Sequence, residues 1–179
     1  MEKVSINAFE HANEILGRIR KGILVTAKLG EQVNSMTIGW GTIGVHWSRP
    51  VFVIYIRKNR FTTHMVHDSK EFTINVPLDE SMDKEIAYLG AHSGRDEDKV
   101  KKCNLTLVPG NKVNAPGIKE IPLTLECKVL FSELQDITTL PGYLKDRYYP
   151  QDVDSLFCGP NKDEHYAIYG EIVDSYIIK

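Results

Sequence analysis

The sequence predicts a mainly β fold, an antiparallel β-barrel with flanking helices. Six short segments are rich in β-branched and aromatic residues, and several alternate apolar with polar positions, as half-buried strands do. Helical patterns are fewer and fall between these segments. Closing six strands into a barrel removes the unpaired edges that an open sheet would expose. Because no repeat, low-complexity tract or linker interrupts the 179 residues, we predict a single domain over residues 1–179.

The predicted strands follow from composition and alternation. Every residue between Pro50 and Arg57 is β-branched or aromatic, and Leu123, Leu125 and Cys127 alternate with polar residues. The six strands are predicted at 22–29, 33–39, 50–57, 71–76, 123–134 and 166–178. The helices are predicted at 7–19, 60–69, 79–91 and 95–104. The long irregular segment 136–163 is typical of a loop that is functional or covers a partner.

Composition and charge exclude several classes of protein. Hydrophobic residues make up 42% of the chain and charged residues 26%, which is ordinary for a globular domain. A net charge of -2 provides no basic field, so we expect no nucleic-acid partner. The longest apolar run, VFVIYI, is too short to cross a bilayer, and the first ten residues lack signal-peptide features, so we expect no membrane association. Three scattered cysteines favour reduced thiols and a cytoplasmic location.

The glycines of GWGTIG, residues 39–44, match G-x-G-x-x-G, a pattern that binds dinucleotides in parallel sheets. That interpretation requires a helix after the motif and an acidic residue further on. Here a predicted strand follows, and no Asp or Glu occurs from Val33 to His67. We therefore expect the glycines to turn the chain tightly between two strands and to let a flat ligand approach the backbone. A β-branched side chain at Gly41 is then expected to disturb ligand binding more than folding.

A cationic stretch, RKNRFTT, begins where the third predicted strand ends. The guanidinium groups of Arg57 and Arg60 would lie beside the start of the next helix, which Asn59 or Thr62 could cap. Helix N–H groups and bidentate guanidinium groups together suit a phosphate monoester. The alternative is a solvated basic turn that binds no ligand.

Two further motifs offer contacts to a ligand. In NSMTIGWGTIG, the backbone, the hydroxyls of Thr37 and Thr42 and the indole of Trp40 could hold a planar heterocycle. Equally, Trp40 could belong to the core. In HSGRDEDK, the side chains that could reach the same ligand are those of Ser93, Arg95 and Lys99. The alternative for this second motif is that it only caps a helix.

A histidine at the start of the last predicted strand, His165, is the candidate for a direct part in the chemistry. A histidine at such a position can also be purely structural. On a predicted helix, His64 and His67 could bind a metal, but a surface helix explains them as well, and we expect no metal site. The nucleophile motif G-x-S-x-G does not occur in the sequence, which suits chemistry supplied by a cofactor.

Together these motifs resemble those of the flavin reductase-like, FMN-binding split-barrel family, and most closely its flavoredoxin-type members. NSMTIGWGTIG is similar to N-x-M-T-I-G-W-G-T-I-G of that group, and RKNRFTT to R-x-S-R-Y-T. HSGRDEDK is similar to H-S-G-R-D-x-D-K, and DEHYAIYGEIV to D-H-x-x-x-x-G-x-V. The sequence departs from the family pattern at Asn59, where Ser is usual, and at Lys58, where Pro is usual.

The resemblance implies a six-stranded antiparallel FMN-binding split barrel that forms a homodimer. It implies that the FMN phosphate meets Arg57, Asn59, Arg60 and Thr62 and that His165 lies beside the flavin. The residues implied to lie against the flavin ring are Met36, Thr37, Ile38, Trp40, Gly41 and Thr42. The implied function is NAD(P)H-dependent flavin reduction. Two alternatives are an electron carrier that docks a redox partner protein without using NAD(P)H, and an interaction barrel without flavin.

Overall fold

The computed structural model describes residues 2–179 and confirms the mainly β class with flanking helices. The strands are β1 (Lys3–Ser5), β2 (Ile23–Leu29), β3 (Gln32–Ile38), β4 (Gly41–His46), β5 (Arg49–Arg57), β6 (Glu71–Val76), β7 (Leu107–Val108), β8 (Gly117–Ile118), β9 (Leu123–Leu134) and β10 (His165–Ile178). The helices are α1 (Ala12–Ile19), α2 (Phe61–Ser69), α3 (Asp83–Ala91), α4 (Lys99–Lys102) and α5 (Gly142–Tyr148), with a 3-10 turn at Ile137–Thr139.

All six predicted strands form, each with ends within one residue of the prediction, but the predicted number of strands is wrong. The additional strands are β1, the short β7–β8 pair and β4. Within the glycine-rich segment, Gly39 and Trp40 form the tight link between two strands that was predicted, here β3 and β4, whereas Gly41 and Gly44 lie inside β4. The turn from β4 into β5 lies at Trp47 and Ser48, whose φ angles are 52° and 57°. Glycine is depleted in strands and Trp-Ser is an unusual hairpin pair, so sequence patterns gave no signal for this hairpin.

The main sheet curls into a split barrel because of how its edge strands are connected. Its strands follow the order β3-β2-β6-β9-β10-β5-β4, with antiparallel neighbours, and β1 also pairs with β10. The edge strands β3 and β4 are separated in the chain by Gly39 and Trp40 alone. At 3.8 Å between consecutive Cα atoms, the ends of these strands lie at most about 11 Å apart. The two edge strands therefore approach each other where β3 ends and β4 begins, although they do not pair.

The barrel interior is filled by alternate residues of the strands. Phe52 and Ile54 of β5 are fully buried in the main core, together with Phe72 and Ile74 of β6. In β4, Gly41 passes so close to this core that a Cβ atom would lie 2.9 Å from Cε1 of Phe52. A larger residue at this position would force the Phe52 ring or the strand to shift, which favours glycine here.

A second layer covers part of the outer surface of the sheet. Ile86 and Leu89 of α3 pack with Leu24 of β2 and with apolar residues of the segment 105–121.

The helices differ in extent from the prediction. Those predicted at 7–19, 79–91 and 95–104 are shorter in the structure, and the segment 136–163, predicted to be irregular, contains α5. Within residues 2–179, no helix is both long enough and apolar enough to cross a membrane.

Candidate functional site

Two neighbouring clefts lie where β3 and β5 end. The first, called here the cationic cleft, has a volume of about 260 Å³ and is lined at its polar side by Arg60, Arg95 and Lys99. The second, the aromatic cleft, has a volume of about 250 Å³ and includes Trp40 and His165 in its wall. The residues that line both clefts are Met36, Arg60, Gly90 and Cys158. The clefts therefore form two parts of one site.

The structure brings most of the predicted site residues to these clefts. Those in the cationic cleft are Met36, Asn59, Arg60, Thr62, Ser93, Arg95 and Lys99. Those in the aromatic cleft are Met36, Thr37, Ile38, Trp40, Arg57, Arg60 and His165. Two predicted residues lie outside both clefts, because Gly41 faces Phe52 in the core and Thr42 is exposed on β4. Gly41 therefore has a packing role, and its contact with a ligand stays a prediction.

Lys99 is an almost fully buried cation in the wall of the cationic cleft. Its side chain is 2% exposed, and Nζ donates a hydrogen bond to the backbone oxygen of Leu89 at 2.8 Å. Burial lowers the pKa of Lys99 to about 8. In the part of the chain that the structure describes, no carboxylate forms an ion pair with it. An ammonium has three donors, so Lys99 retains hydrogen-bonding capacity for an anion in the cleft.

The start of α2 contributes further donors to the cationic cleft. The N-cap of α2 is Arg60, and no side chain among residues 2–179 caps this helix. The prediction of a cap by Asn59 or Thr62 is wrong because both side chains have other partners. Asn59 Nδ2 donates to the carboxylate of Asp163 at 3.1 Å, and Thr62 Oγ1 accepts from Asn34 Nδ2 at 2.7 Å. The first N–H groups of α2 are thus free of capping side chains at the cleft.

Arg60 and Arg95 are held in place by backbone carbonyls. Arg60 Nη2 donates to the oxygens of Phe157 and Cys158, at 3.1 and 2.7 Å. Arg95 Nη2 donates to the oxygen of Asn59 at 2.9 Å. These bonds use one nitrogen of each guanidinium, and a guanidinium carries five N–H donors on three nitrogens. Both side chains can therefore hold a phosphate while they remain fixed by the backbone.

Arg57 occupies a different position from the one predicted. It is 7% exposed, and it lines the aromatic cleft rather than the cationic cleft. Its Nη1 donates to the oxygens of Asn161 and Asp163, at 3.2 and 2.6 Å, and its Nη2 donates to the oxygen of Tyr148 at 2.8 Å. Arg57 and Arg60 therefore share the aromatic cleft, and only Arg60 also lines the cationic cleft. Arg57 instead anchors the loop between α5 and β10.

The aromatic cleft has flat, partly exposed walls. Trp40 is 38% exposed, so the alternative that it belongs to the core is wrong. Its ring meets the ring of Tyr148 edge-on, with centroids 5.2 Å apart, and lies 4.6 Å from that of His165. Thr37 donates its hydroxyl hydrogen to the backbone oxygen of Ile86, which fixes the end of β3 beside α3. A planar ligand would find aromatic surface and ordered backbone here.

His165 is buried at the inner wall of the aromatic cleft. It is 6% exposed, pairs with Arg57 across the sheet, and places Nδ1 2.9 Å from Oη of Tyr149. Burial, followed by the positive charges of Arg57 and Arg60, lowers the pKa of His165 to about 3. The imidazole is therefore neutral at physiological pH. It can form hydrogen bonds to a ligand, but it holds no extra proton to donate as an acid.

Several residues of the site were not predicted to belong to it from the sequence. Asn34 lies inside the motif NSMTIGWGTIG, where its polar side chain was the available signal. Tyr148, Tyr149 and Cys158 lie in the irregular segment 136–163, whose length was the available signal.

One histidine considered as a metal ligand on α2 has a different partner: His67 Nε2 lies 3.0 Å from the hydroxyl of Ser132. Among residues 2–179, no group of three or more His, Cys, Asp and Glu side chains is arranged to hold a metal.

Comparison with known proteins gives both a family and a fold. Residues 17–177 match the family model for the flavin reductase like domain. An uncharacterized protein of Archaeoglobus fulgidus is 35% identical over 100 residues, which are 56% of this chain and 55% of that protein. The chain therefore spans little more than half the length of this curated relative.

Two solved structures illustrate the similarity of fold. A flavoredoxin from Methanosarcina acetivorans is 25% identical with a TM-score of 0.64, over 88% of this chain and 68% of that one. An FMN-binding domain of a flavin reductase-like enzyme from Shewanella baltica is 15% identical with a TM-score of 0.69, over 98% of this chain and 77% of that one.

Proposed function

The chain belongs to the flavin reductase-like domain family, as its motifs predicted, and from this premise we propose that it is an oxidoreductase that binds FMN across the two clefts. The observation that carries the proposal is that a cleft lined by cations lies directly beside a cleft lined by aromatic rings. Of these cations, Lys99 is buried, Arg60 half-buried and Arg95 exposed. FMN pairs the same two chemistries, a phosphate monoester and a planar ring system.

The donor set of the cationic cleft fits a phosphate. Lys99 is a desolvated cation with a backbone oxygen as its hydrogen-bond acceptor, so an incoming dianion would offset the free-energy cost of its burial. Arg60 and Arg95 provide N–H donors, the Ser93 hydroxyl lines the same cleft, and the uncapped start of α2 favours negative charge. We propose that these groups hold the FMN phosphate, with Asn59 and Thr62 shaping the cleft through Asp163 and Asn34.

The aromatic cleft would hold the ring system. Residues Met36 to Trp40 provide backbone and side-chain surface, and Tyr148 and His165 line the same cleft in contact with the Trp40 ring. When bound, FMN supplies the redox chemistry by accepting a hydride or electrons at its ring. The residues of the chain orient the ring, exclude water and offer the neutral imidazole of His165 as a hydrogen-bonding group. None of them has to act as a nucleophile.

We propose NAD(P)H as the electron donor, which makes the chain a flavin reductase. A second function, electron transfer to a docked redox partner protein, is favoured by exposed apolar side chains at the rim of the clefts. Leu156 and Phe157, beside Cys158, are 87% and 53% exposed. The two functions are separated by mixing the FMN-loaded protein anaerobically with NADH or NADPH. Bleaching of the flavin bands within seconds supports the reductase, and no bleaching with either donor supports the carrier.

We also propose that the chain forms a homodimer in the cytoplasm. The outer face of the sheet carries a cluster of partly exposed aromatic residues, in which Trp47 and Phe131 are 51% and 46% exposed and both contact Tyr169. Aromatic residues are enriched in interfaces. The three cysteines are free thiols, which suits a reducing compartment. Sedimentation in the presence of FMN tests the dimer, and a single species of 20.3 kDa would exclude it.

A further inference from the structure

A buried hydroxyl–imidazole pair lies behind the aromatic cleft. Tyr149 is 5% exposed, and its Oη lies 2.9 Å from Nδ1 of His165. The tyrosine is fixed from two directions. Its backbone N–H donates to the oxygen of Lys145 at 2.8 Å, and the guanidinium of Arg57 lies over its ring, 5.3 Å from the centroid. The pair is therefore ordered by the protein before any ligand binds.

The protonation states of the two partners limit how they can be bonded. Burial raises the pKa of Tyr149, so the phenol keeps its proton, and burial keeps His165 neutral with a pKa of about 3. The charged groups that face the imidazole, Arg57 and Arg60, further disfavour an imidazolium. The pair thus shares one O–H and one ring N–H at physiological pH. Either the phenol donates to a bare Nδ1, or a protonated Nδ1 donates to the phenol oxygen.

Only the arrangement in which the phenol donates to Nδ1 gives the buried phenol O–H a hydrogen-bond acceptor. Within residues 2–179, Nδ1 of His165 is the single hydrogen-bond partner of the Tyr149 hydroxyl. If Nδ1 carried the proton, the buried O–H would have no acceptor, which is rare in folded proteins. When the phenol donates, Nδ1 is the acceptor, and the ring proton must lie on Nε2. Nδ1 is then fully used, and Nε2 is the nitrogen left to meet a ligand in the aromatic cleft.

We propose that Tyr149 is a positioning residue that fixes His165 in the Nε2–H tautomer, so that the aromatic cleft presents one neutral donor and selects ligands with a carbonyl-type acceptor. The ligand part of this inference rests on the proposed function, in which such an acceptor is provided by a nicotinamide carboxamide. The tautomer part concerns the protein alone and holds whether or not flavin binds.

The tautomer is measured directly by long-range ¹H–¹⁵N correlation of the histidine rings in flavin-free protein between pH 5 and 9. His165→Gln identifies the signals of His165 among the six histidines. We expect a protonated Nε2 and a bare, hydrogen-bonded Nδ1 that do not titrate over this range. In Tyr149→Phe the Nδ1 resonance should move to higher frequency because its donor is lost. In the matched control Tyr148→Phe it should stay in place. A protonated Nδ1 in the wild type, or an unchanged spectrum in Tyr149→Phe, would overturn the role of Tyr149.

The selection of an acceptor is tested with two small probes on the FMN-loaded protein. Nicotinamide at millimolar concentration should shift the Nε2–H resonance of His165, whereas 3-methylpyridine, which has the same ring without the carboxamide, should not. Equal shifts with both probes, or none with either, would overturn the selection. Because the tautomer is read without flavin, a protein that fails to bind FMN would refute the proposed function while leaving the tautomer result intact.

Discussion

The cationic and aromatic clefts adjoin, but they differ in how many hydrogen-bond partners their buried polar groups already have. In the cationic cleft, Lys99 is buried with a lowered pKa and a single carbonyl acceptor. In the aromatic cleft, His165 is paired with Tyr149, and Arg57 donates to three carbonyls. A site with unmet hydrogen-bonding capacity gains free energy when its ligand arrives, whereas a site with ordered partners controls orientation. We therefore assign affinity to the cationic cleft and positioning to the aromatic cleft.

The largest effect is expected in the cationic cleft. Arg60→Ala should weaken FMN binding by about ten- to a hundredfold, because a charge-assisted hydrogen bond contributes about 1.5–3 kcal/mol. Riboflavin, which lacks the phosphate, should lose much less affinity than FMN, although Arg60 also lines the aromatic cleft. Arg49→Ala is the matched control, since Arg49 pairs with Glu171 and lines neither cleft. Fluorescence titration with both flavins measures the two affinities. Equal losses for FMN and riboflavin would contradict the division of roles.

A change in the aromatic cleft should affect rate and leave affinity almost unchanged. His165→Ala removes the neutral donor, so reduction by NADH or NADPH should slow by about tenfold or more. FMN affinity should stay within about twofold, because the phosphate contacts are elsewhere. Stopped-flow reduction of the FMN-loaded variant measures the rate. An unchanged rate with both donors would make His165 a structural residue and favour the electron-carrier function.

The lowered pKa of Lys99 gives the cationic cleft a pH dependence. The pKa of Lys99 is about 8 in the folded protein, against 10.5 for an ordinary lysine. The unfolded chain therefore binds more protons between these values, and stability should rise with pH from about 8 to 10.5. Below pH 8 the full destabilisation by the buried charge is present. Urea unfolding of the flavin-free protein at pH 7 and pH 10 should show this rise, and Lys99→Met should abolish it. A fall in stability in the wild type over this interval, relative to Lys99→Met, would contradict the buried charge.

The smallest effect on ligand binding is expected at Gly41. Gly41→Val should destabilise the fold by about 1–3 kcal/mol, because the new side chain would press on the buried ring of Phe52. Folded variant should still bind FMN with affinity close to that of the wild type. This result would reverse the prediction from the sequence, in which a substitution at Gly41 disturbs ligand binding more than folding. Thermal unfolding and flavin titration on the same sample separate the two outcomes, and a stable variant that no longer binds FMN would restore the first interpretation.

Much of the fold and part of the site could be predicted from local patterns. Alternation of apolar residues located the six long strands, and the motifs brought Arg60, Ser93, Arg95 and Lys99 to one cleft. The surroundings of Arg57 could not be predicted, because they depend on contacts between distant segments of the chain. Arg57 was predicted to bind phosphate because it ends a strand beside a helix, but the loop before β10 folds back and accepts three hydrogen bonds from its guanidinium. No local pattern in RKNRFTT reports a loop that lies about a hundred residues further along the chain.

The central claim is that the affinity for FMN comes mainly from its phosphate in the cationic cleft. It is tested most directly by calorimetric titration of the flavin-free protein with FMN and with riboflavin, at pH 7 and at pH 9.5. We predict that FMN binds at least about tenfold more tightly than riboflavin at pH 7. We also predict that the difference narrows at pH 9.5, where Lys99 in the free protein has mostly lost its proton. Equal affinity for the two flavins at pH 7 would contradict the account.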